Sequence, residues 1–340
     1  MPEAASPAAC ASGPPPPGWR RELAAAIRDV DELCAALELD PPAAAEIRRA
    51  MDGFPLLVPR PFLARMNRGD PRDPLLLQVL PRAAEADDVA GFTADPLEES
   101  ARLPAPGLVR KYAGRALVLV TGGCAVNCRY CFRREFPYTE SGATRAGVDA
   151  ALDHVAADPS VAEVILSGGD PLLVDDERLG EIVARIDAIP HVRRLRIHTR
   201  LPIVLPARVS AGLVRVLAAS RTARVIVVHA NHAAELDDSV AAAIRRLAAT
   251  PATILNQSVL LAGVNDSAAA LAALSERLVE VGIVPYYLHL LDRVRGAAHF
   301  EVEEPRARQL HRALRDTLPG YAVPRLVREV PGEPGKVVVA

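Results

Sequence analysis

Between Ala116 and Tyr138 the chain reads ALVLVTGGCAVNCRYCFRREFPY, and this stretch decides the fold. Ala116 to Val120 form a short apolar run bounded by a glycine pair, the pattern of a buried strand. Directly after it come Cys124, Cys128 and Cys131, spaced C-x3-C-x2-C. The same rhythm recurs downstream. Strands are expected at EVILSGG (163–169), RRLRIHTR (193–200), RVIVVHAN (224–231), TILNQSVLL (253–261) and IVPYYLHLL (283–291). Helices are expected between them near 145–157, 176–188, 207–219, 238–249 and 267–281. Strict alternation of strand and helix means right-handed βαβ units and a parallel sheet. The chemistry of such sheets collects at the C-terminal strand ends. Polar residues fall there: Cys124, then Ser167 with Gly168-Gly169-Asp170, His198 with Arg200, His229 with Asn231, Asn256 with Gln257, and Asp292. A helix near 303–317 and a possible extra strand, RLVREV (325–330), follow.

Upstream the signals are weaker. Residues 1–18 read as a disordered, proline-rich leader. Leu23, Ile27, Val30, Leu33 and Leu37 recur at helical spacing from Trp19, ended by Pro41-Pro42, and a second helix is expected from Ala43 to Met51. Residues 52–106 carry proline and charge with short helices, and GFTADPLEES (91–100) reads as a surface loop. The organisation expected is a leader (1–18), an N-terminal helical region (19–106), a barrel (107–300) and a C-terminal segment (301–340).

Composition narrows the function. The chain has 340 residues, half of them apolar, 24% charged, with net charge -2. Nucleic-acid binding would need a basic surplus, and wholesale disorder would need low hydrophobicity. No apolar run approaches the ~18–20 residues of a membrane span, and no secretory signal is legible, so a cytoplasmic enzyme is expected. Of 40 basic residues only Lys111 and Lys336 are lysine. In so arginine-rich a chain, a lysine is a candidate for chemistry that a permanently charged guanidinium cannot do, such as forming a Schiff base. Histidines 198, 229, 232, 289 and 299 read as buried, hydrogen-bonded core residues ahead of catalytic ones.

The three clustered cysteines suit a metal site better than a disulfide framework. Structural zinc wants four ligands, and Cys10 and Cys34 are far away in sequence. Three thiolates without a fourth point to a four-iron four-sulfur (4Fe-4S) cluster with one open iron.

The cysteine motif, with Tyr130 before the last cysteine, resembles that of the radical S-adenosylmethionine superfamily. There the open iron chelates S-adenosylmethionine and one electron cleaves it to a 5′-deoxyadenosyl radical. Longer runs resemble the lysine 2,3-aminomutase family: KYAGRALVLVTGGCAVNCRYCFRREFPY, ILSGGDPLL, RIHTRLPIVLPARV, LNQSVLLAGVND and PYYLHLLDRVRGAAHF. The likeness covers residues 19 to 336. The N-terminal helices and GFTADPLEES are most like the branch that makes β-lysine for elongation factor P.

The resemblance implies a partial (β/α)6 TIM-type barrel and a 1,2 amino shift turning L-α-lysine into β-lysine. It implies Cys124, Cys128 and Cys131 as cluster ligands, and Ser167, Gly168, Gly169 and Asp170 beside S-adenosylmethionine. Lys336 would be the Schiff-base lysine for pyridoxal 5′-phosphate, with Lys111 and Arg115 as phosphate anchors. Arg133 would bind the substrate carboxylate, and Asp292 with Glu329 its ε-ammonium; Glu329 stands where free-lysine aminomutases usually carry aspartate. An external electron donor, elongation factor P and its lysyl-ligase are the partners implied. The metal-binding tail of longer family members has no counterpart after Lys336, so no zinc and a monomer or dimer are expected. Two other readings stay open. One is a free-lysine aminomutase serving other metabolism. The other is an iron–sulfur electron carrier or sensor, which needs neither Lys336 nor the acidic pair.

Overall fold

The computed structural model describes residues 18–41, 47 and 50–340. The leader, apart from Gly18, and most of the helix expected from Ala43 to Met51 lie outside them.

One sheet of nine strands runs in chain order. They are β1 (Leu108–Val109), β2 (Arg115–Thr121), β3 (Glu163–Gly168), β4 (Arg194–Thr199), β5 (Ala223–Val228), β6 (Ala252–Val259), β7 (Val284–His289), β8 (Arg325–Arg328) and β9 (Val337–Val338). Each strand from β3 to β8 lies parallel to its predecessor. β1 and β9 flank them antiparallel. Among the described residues no pairing joins the two ends, so the sheet is an open, partial barrel. The six expected strands are all present. RLVREV supplies a seventh parallel strand, β8, and β9 folds the tail back onto it.

Helix starts follow capping chemistry. Thr144, Asp175, Ser210, Asp237 and Ser267 each accept a backbone N–H from the first turn of the crossover helix that follows. The helix expected from 207 therefore starts at Ala211, after the Ser210 cap and a separate short turn over Pro206–Arg208. Leu179, Ile182, Val183 and Ile186 of one helix, and Val240, Ile244 and Leu247 of another, pack with Leu195 and Ile197 of β4 in one large core. Side chains alternate along a strand. In β4 the helix-facing Leu195, Ile197 and Thr199 are buried, whereas Arg194, Arg196 and His198 are partly exposed and turn to the sheet's other face. That inner face carries polar side chains where a closed barrel packs a core.

Two N-terminal expectations are corrected. The single helix from Trp19 is two helices, Gly18–Ala24 and Val30–Ala36. Ile27 instead pairs with Val58 in an isolated bridge, and Asp29 restarts the helix by accepting the Glu32 N–H. The apolar spacing persists because Trp19, Ile27, Leu33 and Leu37 all reach the same core. Nor is 91–100 a surface loop. Phe92, Leu97 and Glu99 are buried, and Thr93 bridges to Val294 beyond β7. Asp95 folds the segment by accepting the N–H groups of Glu99 (3.0 Å) and Ser100 (2.9 Å). None of the described helices is long and apolar enough to cross a membrane.

Candidate active site at the mouth of the open barrel

The cysteine loop leaves β2 and is stitched to the loop after β3. Gly169 donates its N–H to the Thr121 carbonyl (2.7 Å) and Asp170 to that of Gly123 (2.8 Å). Gly168 has φ +123°, and a Cβ there would strike the Thr121 carbonyl; one on Gly169 would strike that of Gly123. The glycines are thus needed for two backbones to touch. Asp170 is buried, and its carboxylate accepts from Thr199 Oγ1 (2.7 Å) and from the backbone N–H groups of Arg200 (2.7 Å), Leu201 (3.0 Å) and Leu172 (3.0 Å). It ties the β3 loop to the end of β4.

Cys124 and Cys131 each feel their neighbours. Burial raises Cys124 well above the ordinary thiol range, and Cys131, Asp170 and Cys128 add to it. Burial and Cys128 push Cys131 up to about 11. Such sulfurs ionise only against a cation. Among the described residues no three His, Cys, Asp or Glu side chains converge as a single-ion site. A cluster whose irons each take one cysteine fits three neighbouring sulfurs that do not converge.

Next to this loop runs a chain of alternating charges. Arg133 grips Glu99 with two bonds, Nε to Oε2 at 2.6 Å and Nη2 to Oε1 at 3.0 Å. Its Nη1 donates to Ser167 Oγ and to the Gly168 carbonyl, both at 3.1 Å. Glu99 also receives Lys111 (2.8 Å). Lys111 bonds Glu329, whose other oxygen accepts from Lys336 Nζ at 2.6 Å. Burial works against the charges of Glu99, Lys111, Arg133 and Glu329, but the partners prevail. Arg133 and Lys111 hold Glu99 below the usual carboxylate range, Glu99 and Glu329 hold Lys111 above the usual amine range, and Lys336 with Lys111 holds Glu329 well down. Asp292 goes the other way. Burial, reinforced by Glu329, pushes it up to about 7.

Of the expected site residues, Arg133, Ser167, Gly168, Lys111, Glu329 and Lys336 are therefore connected in one network. Lys111 is held by two carboxylates. Arg115 stacks on Tyr112 (4.5 Å to the ring centroid) and has no salt bridge among the described residues. Glu99 is the link that the sequence hid, because an acidic residue in a charged, aperiodic stretch gives no burial signal.

Beyond Lys336 lies a different wall. Nε2 of His198, His229 and His289 and Oε1 of Gln257 are buried without a hydrogen-bond partner among the described residues. The His198 and His229 rings lie 5.7 Å apart, and Lys336 Nζ is 5.9 Å from the Tyr287 ring. Burial brings His229 down to about 4 and His198 and His289 well below the ordinary range, and the Lys336 charge contributes in all three cases. The expectation of satisfied core histidines is overturned for these, and for His299, whose two ring nitrogens also lack partners. Unpaired buried polar atoms are rare in finished cores. Grouped beside a lysine, they fit an aromatic, hydrogen-bonding ring such as pyridoxal.

The class follows from a cysteine loop at the C-terminal end of the first parallel strand of an open barrel. Residues 118–267 match the family model described as the radical SAM superfamily. The chain is 49% identical over 321 residues to the L-lysine 2,3-aminomutase of Escherichia coli K12, covering 94% of this chain and 93% of that one. It is 45% identical to that of Haemophilus influenzae, covering 95% of each. With the enzyme of the same name from Clostridium subterminale it shares 34% identity, over 94% of this chain and 77% of that protein. The chain belongs to the lysine 2,3-aminomutase family of radical S-adenosylmethionine enzymes. It is an isomerase whose cofactors are a 4Fe-4S cluster, S-adenosylmethionine and pyridoxal 5′-phosphate.

Proposed function

We propose that this enzyme moves the α-amino group of L-lysine to C3, giving β-lysine, and that the product serves the modification of elongation factor P. One observation carries the substrate: a buried guanidinium, Arg133, begins a chain of buried charges that ends on Glu329 and Lys336, and buried Asp292 feels the charges of both. An amino acid with a carboxylate at one end and a cation at the other complements that pattern. A glutamate-like substrate would meet acids at its far end.

Cys124, Cys128 and Cys131 would hold the cluster, with the stitched loop at Ser167–Asp170 beside its open iron. Lys336 would hold pyridoxal phosphate, its phosphate near Arg115 and Lys111. The bound groups supply a one-electron start and an aldehyde that carries the migrating amine. The chain supplies the rest. Four of the five Arg133 N–H donors are engaged, so a substrate carboxylate takes the fork only as Glu99 yields part of it. Lys111, already bonded to Glu99, then carries that carboxylate. At the other end a substrate ammonium joins Glu329 and Asp292, taking over the charge that Lys336 and Lys111 provide there. Lys336 must be neutral to act as a nucleophile. Glu329, which accepts its hydrogen bond at 2.6 Å, orients that amine. The neutral histidines offer hydrogen bonds to an uncharged ring without adding positive charge, and burial keeps water out.

The elongation factor P role is supported by the likeness of the N-terminal helices and residues 91–100 to that branch of the family. Anaerobic reconstitution with iron, sulfide, pyridoxal phosphate, dithionite, S-adenosylmethionine and L-lysine is expected to yield β-lysine by chromatography; no β-lysine would end the proposal. Adding elongation factor P and its lysyl-ligase tests the finer part. Transfer of the product to the factor is expected, and β-lysine that the ligase rejects would favour a free metabolite.

A further inference from the structure

Arg200 lies outside every role assigned so far, yet it is among the most constrained side chains in the protein. Its backbone N–H is fixed by Asp170 at 2.7 Å. Nη1 donates to the sulfur of Cys128 (2.6 Å) and to the Tyr130 hydroxyl (2.7 Å). Nη2 donates to Gln78 Oε1 (2.7 Å) and Glu235 Oε2 (3.0 Å). Glu235 is completely buried and faces this guanidinium. Its other oxygen accepts from Asn231 N–H (2.8 Å), His232 N–H (3.1 Å) and Gln78 Nε2 (3.1 Å). Tyr130 is pinned in turn by Asn231 Nδ2 at 2.6 Å. Arg65 closes the far side, donating to the carbonyls of Glu235 and Ile203. Four segments, at Gln78, Cys128–Tyr130, Asp170 and Asn231–Glu235, thus hold one cation against one sulfur.

We propose that Arg200 and Glu235 form an opposed pair of fixed charges that sets the reduction potential of the cluster through the sulfur of Cys128. The proposal rests on Cys128 being a cluster ligand. Reduction adds one electron, delivered by a low-potential one-electron donor, and makes or breaks no covalent bond in that step. The added negative charge is delocalised onto the sulfurs. A buried cation bonded to one of them stabilises the reduced form more than the oxidised form, because charges are weakly screened in the interior. Hydrogen bonds to cluster sulfurs act in the same direction. Glu235 partly cancels this field, so the two charges act with opposite sign. A role confined to packing has no such sign.

The test is an EPR-monitored redox titration of the reconstituted enzyme without substrate, alongside iron and sulfide content. Arg200→Gln is expected to lower the reduced-to-oxidised ratio at fixed potential about tenfold, equivalent to about 59 mV for one electron. Glu235→Gln is expected to shift the midpoint the other way, and Arg200→Lys to fall between wild type and Arg200→Gln. Midpoints that stay put, or that move in the same direction in both Gln variants, overturn the proposal. Should Arg200→Gln fail to load iron, the upward shift of Glu235→Gln and the smaller downward shift of Arg200→Lys decide it alone. Failure of Cys128 as a ligand is read separately: Cys128→Ser would then keep the wild-type iron content and EPR signal.

Discussion

The two sides of the barrel mouth treat buried polar atoms in opposite ways. On one side Arg133, Glu99, Lys111, Glu329 and Lys336 pair in unbroken alternation. On the other, His198, His229, His289 and Gln257 leave ring or amide atoms without partners. The difference teaches that a ligand does different work on each side. On the charged side it must replace contacts that already exist, so binding is an exchange. On the histidine side it completes contacts that the bare protein lacks, so binding there relieves a desolvation cost of about 1–3 kcal/mol per group.

The most drastic way to break this contrast is Lys336→Ala, since Lys336 ends the charged chain and faces the histidines. Pyridoxal absorbance and turnover should both vanish while the iron–sulfur absorbance stays. Turnover that persists would remove the lysine from the chemistry. Glu99→Gln comes next. It takes the carboxylate from Arg133 and one of the two from Lys111, and opening a buried ion pair costs about 3–5 kcal/mol. Urea unfolding of the ligand-free variant should show that loss, and saturating L-lysine with the cofactors should recover part of it, because its carboxylate replaces Glu99 on Arg133. An unchanged unfolding midpoint would mean that the chain of charges contributes nothing.

A third test sharpens the acidic end. Asp292 sits up to about 7, so below that pH it is neutral and offers no charge to an ammonium. Glu329 stays ionised, being held far lower by Lys336 and Lys111. KM for L-lysine should therefore fall as pH rises through 7, by about tenfold per unit on the acid side, and Asp292→Asn should flatten that limb. The sign for stability is the reverse. A carboxyl whose folded pKa is raised binds its proton more tightly when folded, so its contribution declines as pH rises from its unfolded value toward 7. The smallest effect belongs to the histidine wall. His289→Phe removes an unpartnered nitrogen, so the ligand-free protein should unfold at equal or slightly higher urea, while pyridoxal phosphate binds more weakly in an absorbance titration. A marked loss of stability without ligand would show that the nitrogen is satisfied after all.

How much of this was legible without coordinates depends on the kind of signal. The strands and crossover helices repeat a strong period and carry Ser, Thr or Asp caps, so they were found nearly to the residue, as with 145–157. The cysteines announce themselves by chemistry and Lys336 by rarity. Glu99 and the partnership of Arg200 with Glu235 were not readable, because burial of a charge depends on which distant segments close over it. The break at Ile27 was hidden because a single bridge residue and two short helices share the apolar spacing of one long helix. The histidines misled for a related reason, since a sequence cannot say whether a buried ring has a partner.

Glu329 follows β8 and Lys336 precedes β9, and these two strands pair antiparallel. The amine and its counter-ion are therefore two legs of a single hairpin, seven positions apart, and depend on each other's local geometry more than on the register of the rest of the sheet. Exchanging that hairpin between relatives would carry the amine and its counter-ion across in one cassette, which makes it a compact unit for testing what the two set together.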